Sequence, residues 1–181
     1  MLAVNDFSDL QYELTQLRIE HWLHQELFSF QWWILVFTFI VPWLIWWKLV
    51  DKKRIIEIML YGIILMYIAT MLDAAGTELK LWEYSYKEIS LYNRLMAVNI
   101  GALPVIYMII YQYANNWKRF IFVSVITAAA FSFVFEPFFQ WIGIYNTYHW
   151  KSIYSFPIYI LLGVLIKGLI EKCKKVESSF N

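Results

Sequence analysis

Long apolar runs alternate with short polar connections along most of this chain. A helix needs about 20 mostly apolar residues to cross a hydrocarbon core about 30 Å thick. Helices satisfy their own backbone hydrogen bonds inside a bilayer, so such runs predict transmembrane helices. We predict five of them, over residues 30–47, 55–72, about 95–113, 120 to about 141, and 157–170.

The ends and interiors of these segments carry residues that shape helices. The last segment is short, and Lys167 lengthens its effective span because a lysine stem can extend past the boundary. Ser155 is predicted to cap that helix, with Pro157 in its first turn. Pro42 and Pro104 are predicted to kink the first and third helices.

The N-terminal region has a different pattern, with apolar and histidine residues recurring at three- and four-residue steps over 6–28. This period places them on one helix face, opposite an acidic face. We therefore predict an interfacial amphipathic helix whose stripe contains Leu10, Leu14, Leu17, His21, His24 and Phe28.

The connection between the second and third segments, GTELKLWEYSYKEISLYNR, is too rich in Trp and Tyr for a solvated linker. We expect it to lie on the membrane surface or to fold back over the bundle. The chain has no internal repeat, so the predicted fold class is all-α with one membrane domain. The predicted divisions are an interfacial helix (1–29), a five-helix transmembrane domain (30–171) and a basic cytoplasmic tail (172–181).

Composition supports the membrane assignment. Hydrophobic residues make up 61% of the 181 residues and charged residues only 16%, whereas soluble domains have about 45–50% and about 25%. The basic residues form short clusters between apolar runs, so a nucleic-acid partner is not expected. The first 29 residues hold five acidic residues and one Arg18, which is the opposite of a cleavable signal peptide.

The distribution of Lys and Arg predicts the orientation, because cytoplasmic loops carry an excess of them. Ten of the fifteen fall in the 1–2 connection, the 3–4 connection and the tail, and five fall on the other side. We expect a multi-pass protein of the bacterial cytoplasmic membrane with its N-terminus outside and its C-terminus in the cytoplasm. Membrane lipids are its expected surroundings.

Candidate chemistry begins with polar residues inside the predicted helices. At a rise of about 1.5 Å per residue, Asp73, Asn99 and Glu136 all reach the outer third of the bilayer. Pro137 directly follows the acid, lacks an N–H and clashes with the carbonyl of Phe133, so the helix should bend there. The sequence predicts a polar layer at one depth.

Glu136 is the centre of this layer. An acid in hydrocarbon costs about 2.5 kcal/mol or more and usually faces a partner or a cavity. Burial favours its neutral form, which suits a proton donor, so Glu136 and Asp73 are the candidate catalytic residues. The candidate cations are Lys80, Arg94, Lys151 and His149, and the candidate binding residues are Asn99, Tyr107, Tyr145, His149, Tyr154 and Ser155.

Simpler roles are open for the same residues. Glu136 can lock two helices together through a tyrosine or Asn99, and Asp73 can cap the loop that begins AAGT. His21 and His24 can share a metal but more simply contact lipid headgroups. No HExxH, Cys-rich, nucleotide-binding or redox motif occurs, so neither a metal nor a cofactor is predicted.

The stretches PWLIWWKLVDKKR, LDAAGTELKLWEY, LPVIYMIIYQY, FEPFFQWIGIY and WKSIYSFPIYI together resemble an uncharacterised family of small multipass membrane proteins from spore-forming bacilli and clostridia. The resemblance covers nearly all of the chain after residue 28 and implies an integral protein of the cytoplasmic membrane. A fainter similarity, in acids near the ends of aromatic-rich helices, is to lycopene-cyclase and meroterpenoid-cyclase enzymes. That similarity implies intramembrane acids that protonate a polyene.

Four functions fit these observations. The first is an outward-facing pocket centred on Glu136 that binds a lipid, a terpenoid or another apolar ligand. The second is a membrane enzyme, a cyclase or isomerase that uses Glu136 as a general acid on a prenyl or acyl lipid. The third is proton-coupled transport, for which a homo-oligomer could supply the symmetry that five spans lack. The fourth is a structural partner for another membrane protein.

Overall fold

The structure is a computed structural model that describes residues 4–92, 94–114 and 116–180, with side chains from residue 8 onward. The described chain is 80% helical and all-α in class. Its α-helices are α1 (Val4–His21), α2 (Phe30–Leu49), α3 (Ile55–Glu78), α4 (Leu103–Tyr113), α5 (Trp117–Ala130), α6 (Glu136–Trp141) and α7 (Ser152–Ser178).

Four helical stretches in the described ranges are long and apolar enough to cross a membrane: Phe30–Leu49, Lys52–Glu78, Trp117–Trp141 and Ser152–Ser178. This indicates a membrane protein. The predicted third segment forms a shorter apolar helix, Ala97–Tyr113. Its crossing of the membrane, and with it the count of five, stays a prediction, as does the orientation.

Two helix ends differ from their predicted positions. α3 continues to Glu78, so Asp73 lies inside the helix, and the prediction that it caps a loop is wrong. α7 begins at Ser152, which leaves Pro157 inside the helix. Ser155 does not cap it, because it lies inside the helix, and its hydroxyl accepts a hydrogen bond from the Trp150 indole. In both cases the helix continues beyond the apolar run from which its end was predicted, over residues 73–78 in α3 and 152–156 in α7.

Wide π-helical turns precede two of the prolines. The turn Ala97–Ala102 lies just before Pro104, and the turn Phe131–Phe135 lies just before Pro137. In the second turn the Glu136 N–H donates to the Phe131 carbonyl, five residues back. A π turn changes the direction of side chains without ending a helix, and such turns are frequent at functional sites. The predicted disturbance at Pro137 therefore takes the form of a wide turn.

The core lies between α3, α4, α5 and α7. The Tyr61 ring stacks on Tyr111 with centroids 4.5 Å apart, and its hydroxyl donates to the Gly163 carbonyl at 3.1 Å. α2 packs on the π turn Ala97–Ala102, where the Trp43 indole donates to the Ile100 carbonyl. These contacts hold α2, α3 and α7 around the Ala97–Tyr113 helix.

Residues 79–92, here called the cap segment, fold back over one end of the bundle. Strand β1 (Trp82–Tyr84) pairs antiparallel with β2 (Tyr145–Thr147), which joins α6 to α7. The indoles of Trp22 and Trp32 donate to the carbonyls of Lys87 and Glu88. Of the two placements predicted for this connection, the structure has the one that covers the bundle.

The N-terminal region is helical from Val4 to His21 and continues through the π turn Trp22–Glu26. Leu10, Leu14 and Leu17 of the predicted stripe are exposed. Their contact with a membrane surface stays a prediction.

Candidate functional site

A cavity of about 270 Å³ lies beneath the cap segment. It is bordered by α3, the Ala97–Tyr113 helix, α6, α7 and both strands. Most of its lining is apolar, and two buried carboxyl groups, those of Asp73 and Glu136, face the same space. A mainly apolar cavity with a few convergent polar groups is typical of a small-molecule site.

Asp73 joins three segments through its carboxylate and is 6% exposed. One oxygen, Oδ1, accepts hydrogen bonds from the Trp82 indole at 2.8 Å and the Tyr84 hydroxyl at 2.7 Å. The other, Oδ2, accepts from the Asn99 amide at 2.6 Å. The carboxylate thus ties α3 to the cap segment and to the π turn that contains Asn99.

Glu136 is less completely bonded, although it is only 8% exposed. Its Oε1 accepts a hydrogen bond from the Tyr159 hydroxyl of α7 at 3.1 Å. Its Oε2 is buried and makes no hydrogen bond of good geometry in the described part of the chain. The hydroxyls of Ser152 and Ser155 nevertheless lie close enough to interact with the carboxyl group. Buried polar atoms are seldom left without a partner, so this oxygen is the most unusual polar atom of the cavity.

The strands bring phenolic side chains to the cavity. Tyr84 and Tyr145 stack with ring centroids 5.6 Å apart. Burial raises the pKa of both phenols well above the ordinary value, and the Asp73 carboxylate adds to the rise for Tyr84. Both hydroxyls therefore stay protonated near neutral pH, and that of Tyr84 donates to Asp73.

Five of the residues predicted for the site lie at this cavity: Asp73, Asn99, Glu136, Tyr145 and Ser155. The structure does not bring the other three to it. Tyr107 is buried in the core and donates to the Tyr159 carbonyl at 2.8 Å. His149 is exposed, and Tyr154 is 48% exposed and packs edge-on against Trp150.

The candidate cations also lie outside the cavity. Lys80 lies 3.9 Å from Glu83, Lys151 is exposed, and Arg94 does not line the cavity. Among the described residues, neither cavity carboxyl group forms an ion pair. Hydrogen-bond donors rather than cations therefore surround the two acids.

Of the side chains that donate hydrogen bonds to the two acids, the sequence analysis named Asn99 but missed Trp82, Tyr84 and Tyr159. Trp82 and Tyr84 belong to a connection whose aromatic content is visible in the sequence, but nothing there pairs them with Asp73. Tyr159 follows Ser155 by four residues, which places both on one face of α7. That spacing is the one local signal that pointed to Tyr159.

The histidines do not form a metal site with other ligands in the described ranges. No group of three or more His, Cys, Asp or Glu residues comes together there. His21 Nε2 lies 3.7 Å from an oxygen of Glu26, a residue that was not among the candidates.

Comparisons of the chain with protein-family models, curated proteins and solved structures found no match. The resemblances to a membrane-protein family of bacilli and clostridia and to terpene cyclases therefore stay predictions.

Proposed function

We propose that this membrane protein binds an apolar ligand with a polar head, a lipid or a terpenoid, in the cavity beneath the cap segment. The apolar part would occupy the space between α3 and α7, and the head would contact Glu136. Asp73 has a different role in this proposal, because its carboxylate already accepts three hydrogen bonds that hold the cap segment in place.

One observation carries the proposal, the buried Oε2 of Glu136 without a hydrogen-bond partner among the described residues. Leaving a buried polar atom unsatisfied costs about 1–3 kcal/mol. A hydroxyl or amine head group would supply the missing partner. Ligand binding would then recover the free energy that the folded protein loses by burying this oxygen.

The size of the cavity narrows the class of ligand. An apolar cavity of about 150 Å³ accommodates a molecule the size of benzene, and the cavity here measures about 270 Å³. That space suits one segment of a single acyl or prenyl chain.

The test uses the purified full chain in detergent and farnesol as the probe. We expect farnesol to raise the melting temperature. Replacing the carboxyl group in Glu136→Leu should weaken farnesol binding about tenfold, as the loss of one hydrogen bond to a charged or polar group predicts. Absence of any shift with farnesol or with a straight-chain alcohol of similar length would contradict the proposal.

Ser124→Ala is the matched control. The Ser124 hydroxyl is also buried without a described partner, but it lies in α5 and not at the cavity. Farnesol affinity should be unchanged in this variant. An equal loss in Glu136→Leu and Ser124→Ala would mean that the Glu136 effect comes from altered packing and not from a lost ligand contact.

A membrane enzyme is the second candidate, and the same oxygen favours it. Glu136 in its acid form could deliver a proton from Oε2 to a prenyl chain in the cavity, and the rings of Trp82, Tyr84 and Tyr145 could stabilise the resulting cation. Incubation with a prenyl substrate and product analysis separate the two functions. A new product lost in Glu136→Gln would favour catalysis, whereas unchanged substrate would favour binding alone.

A further inference from the structure

A second cavity, here called the polar cleft, lies between the end of α1 and the cap segment. It measures about 280 Å³ and shares Trp82 and Tyr84 with the apolar cavity. Its other lining residues are mostly charged or polar, and Glu136 is not among them. The two cavities thus differ in chemistry although they share part of one wall.

Basic side chains from two separate segments meet in the polar cleft. Arg18 and His21 come from the last turn of α1, and Lys80 and Lys87 come from the cap segment. A smaller cavity of about 180 Å³ is also lined by Arg18, His21 and Lys87. Residues about sixty positions apart in the sequence therefore present positive charge to one space.

The two acids of the cleft are already engaged. Glu26 is buried, and its Oε2 accepts a hydrogen bond from the Lys87 backbone N–H at 2.8 Å. Glu83 accepts a hydrogen bond from the Tyr148 hydroxyl and lies 3.9 Å from Lys80 Nζ. Within the described part of the chain, Arg18 and Lys87 have no carboxylate within 4.0 Å.

The position of Lys87 is determined by contacts of its main chain. Its N–H donates to Glu26, and its carbonyl accepts from the Trp22 indole at 3.0 Å. Burial lowers the pKa of the Lys87 ammonium, and the nearby Arg18 charge adds to this, while Glu26 and Glu83 act in the opposite direction. A bound anion would compensate the Lys87 charge.

We infer that the polar cleft is a binding site for a phosphate-type anion, held by Arg18 and Lys87. Phosphate oxygens accept several charge-assisted hydrogen bonds, and Arg and Lys are the side chains that supply them. Arg18 and Lys87 line the cleft and have no carboxylate within 4.0 Å in the described part of the chain. The phosphate can come from solution or from a lipid headgroup at the end of the bundle.

The experiment measures the melting temperature and the affinity of the purified full chain in an uncharged detergent. One arm adds inorganic phosphate against sodium chloride of equal ionic strength, because surface charge alone responds to salt. The other arm adds dioctanoyl phosphatidic acid against dioctanoyl phosphatidylcholine. Binding in the first arm identifies a free phosphate, and binding in the second arm alone identifies a lipid headgroup.

Lys87→Gln should weaken the binding seen in either arm about tenfold, as expected for one lost charge-assisted hydrogen bond. Lys151→Gln is the matched control, because it removes the same charge from an exposed residue that does not line the cleft. Arg18 is exposed, so Arg18→Gln carries the test if Lys87→Gln fails to fold.

Two results would overturn the inference. One is an absence of binding in both arms, and the other is an equal loss in Lys87→Gln and Lys151→Gln. Farnesol affinity, measured in the same samples, should not change in Lys87→Gln. The proposal of an anion site and the proposal of a ligand in the apolar cavity can therefore be refuted independently of each other.

Discussion

Replacement of Asp73 by Ala tests the hydrogen bonds that hold the cap segment over the bundle. The change removes the acceptor of three hydrogen bonds, from Trp82, Tyr84 and Asn99. Measured side-chain hydrogen bonds in membrane proteins average about 0.6 kcal/mol and reach about 1.7 kcal/mol. Three of them together predict a loss of about 2–5 kcal/mol in the free energy of unfolding.

Asp73→Asn should cost less than Asp73→Ala. An asparagine keeps one oxygen that can accept from Trp82 and Tyr84, while its amide group faces the amide of Asn99. Rotation of Asn99 by half a turn about its amide axis would present an oxygen to that group and restore the third bond. The predicted order of stability is therefore wild type, then Asp73→Asn, then Asp73→Ala.

Denaturant titration in detergent micelles measures the stability of the three proteins, and hydrogen exchange over residues 81–85 reports on the cap segment. We expect faster exchange there in Asp73→Ala, with little change in Tyr61 and its neighbours in the core. Equal unfolding midpoints together with unchanged exchange at 81–85 would refute the reasoning. Ser124→Ala serves again as the control, since its hydroxyl holds no described partner.

Two further predictions concern the Ala97–Tyr113 helix. Gly101→Ala should lower the free energy of unfolding by about 1–3 kcal/mol. The reason is that a Cβ there would lie 2.9 Å from the Cα of Phe39 and 3.0 Å from the carbonyl oxygen of Thr38. An unchanged melting temperature would contradict this close approach. Glu88 accepts a hydrogen bond from the Ala97 N–H, and burial raises its pKa above the ordinary 4.5. The raised pKa means that the protonated Glu88 side chain contributes to the free energy of unfolding below about pH 4.5. This contribution is lost as the pH rises through the pKa of Glu88 in the folded protein. Glu88→Gln should flatten that part of a stability profile measured between about pH 4 and 8, and an unaltered slope would exclude Glu88 as its source.

Individual residues of the site show how far local pattern reasoning extends. The rise per residue was enough to expect Asp73 and Asn99 at a similar depth, and the two side chains are hydrogen-bonded. The simpler role considered for Glu136 was a hydrogen bond with a tyrosine or with Asn99 that locks the fourth predicted helix to the third. Its partner is a tyrosine, Tyr159, but that residue belongs to α7, the fifth predicted helix. Depth alone could not choose between the possible partners, because it carries no information on the rotation of each helix about its axis.

Tyr107 does not reach the cavity for the same reason, whereas His149 lies in the connection between β2 and α7 and not in a helix. A polar residue of suitable depth can face the core, as Tyr107 does. The π turns add to the difficulty, because each inserts one extra residue per turn and rotates all side chains that follow it.

The sequence by itself determined that the chain is helical and apolar enough for a membrane. That information is local: hydrophobicity summed over about 20 residues and the period of a helix require no knowledge of other segments. Only the tertiary structure decided that the cap segment returns to cover the helices and that its Trp82 and Tyr84 meet Asp73. Such contacts depend on how segments distant in the sequence pack. The same holds for Glu136, whose Oε2 atom has no described partner and lies at an apolar cavity.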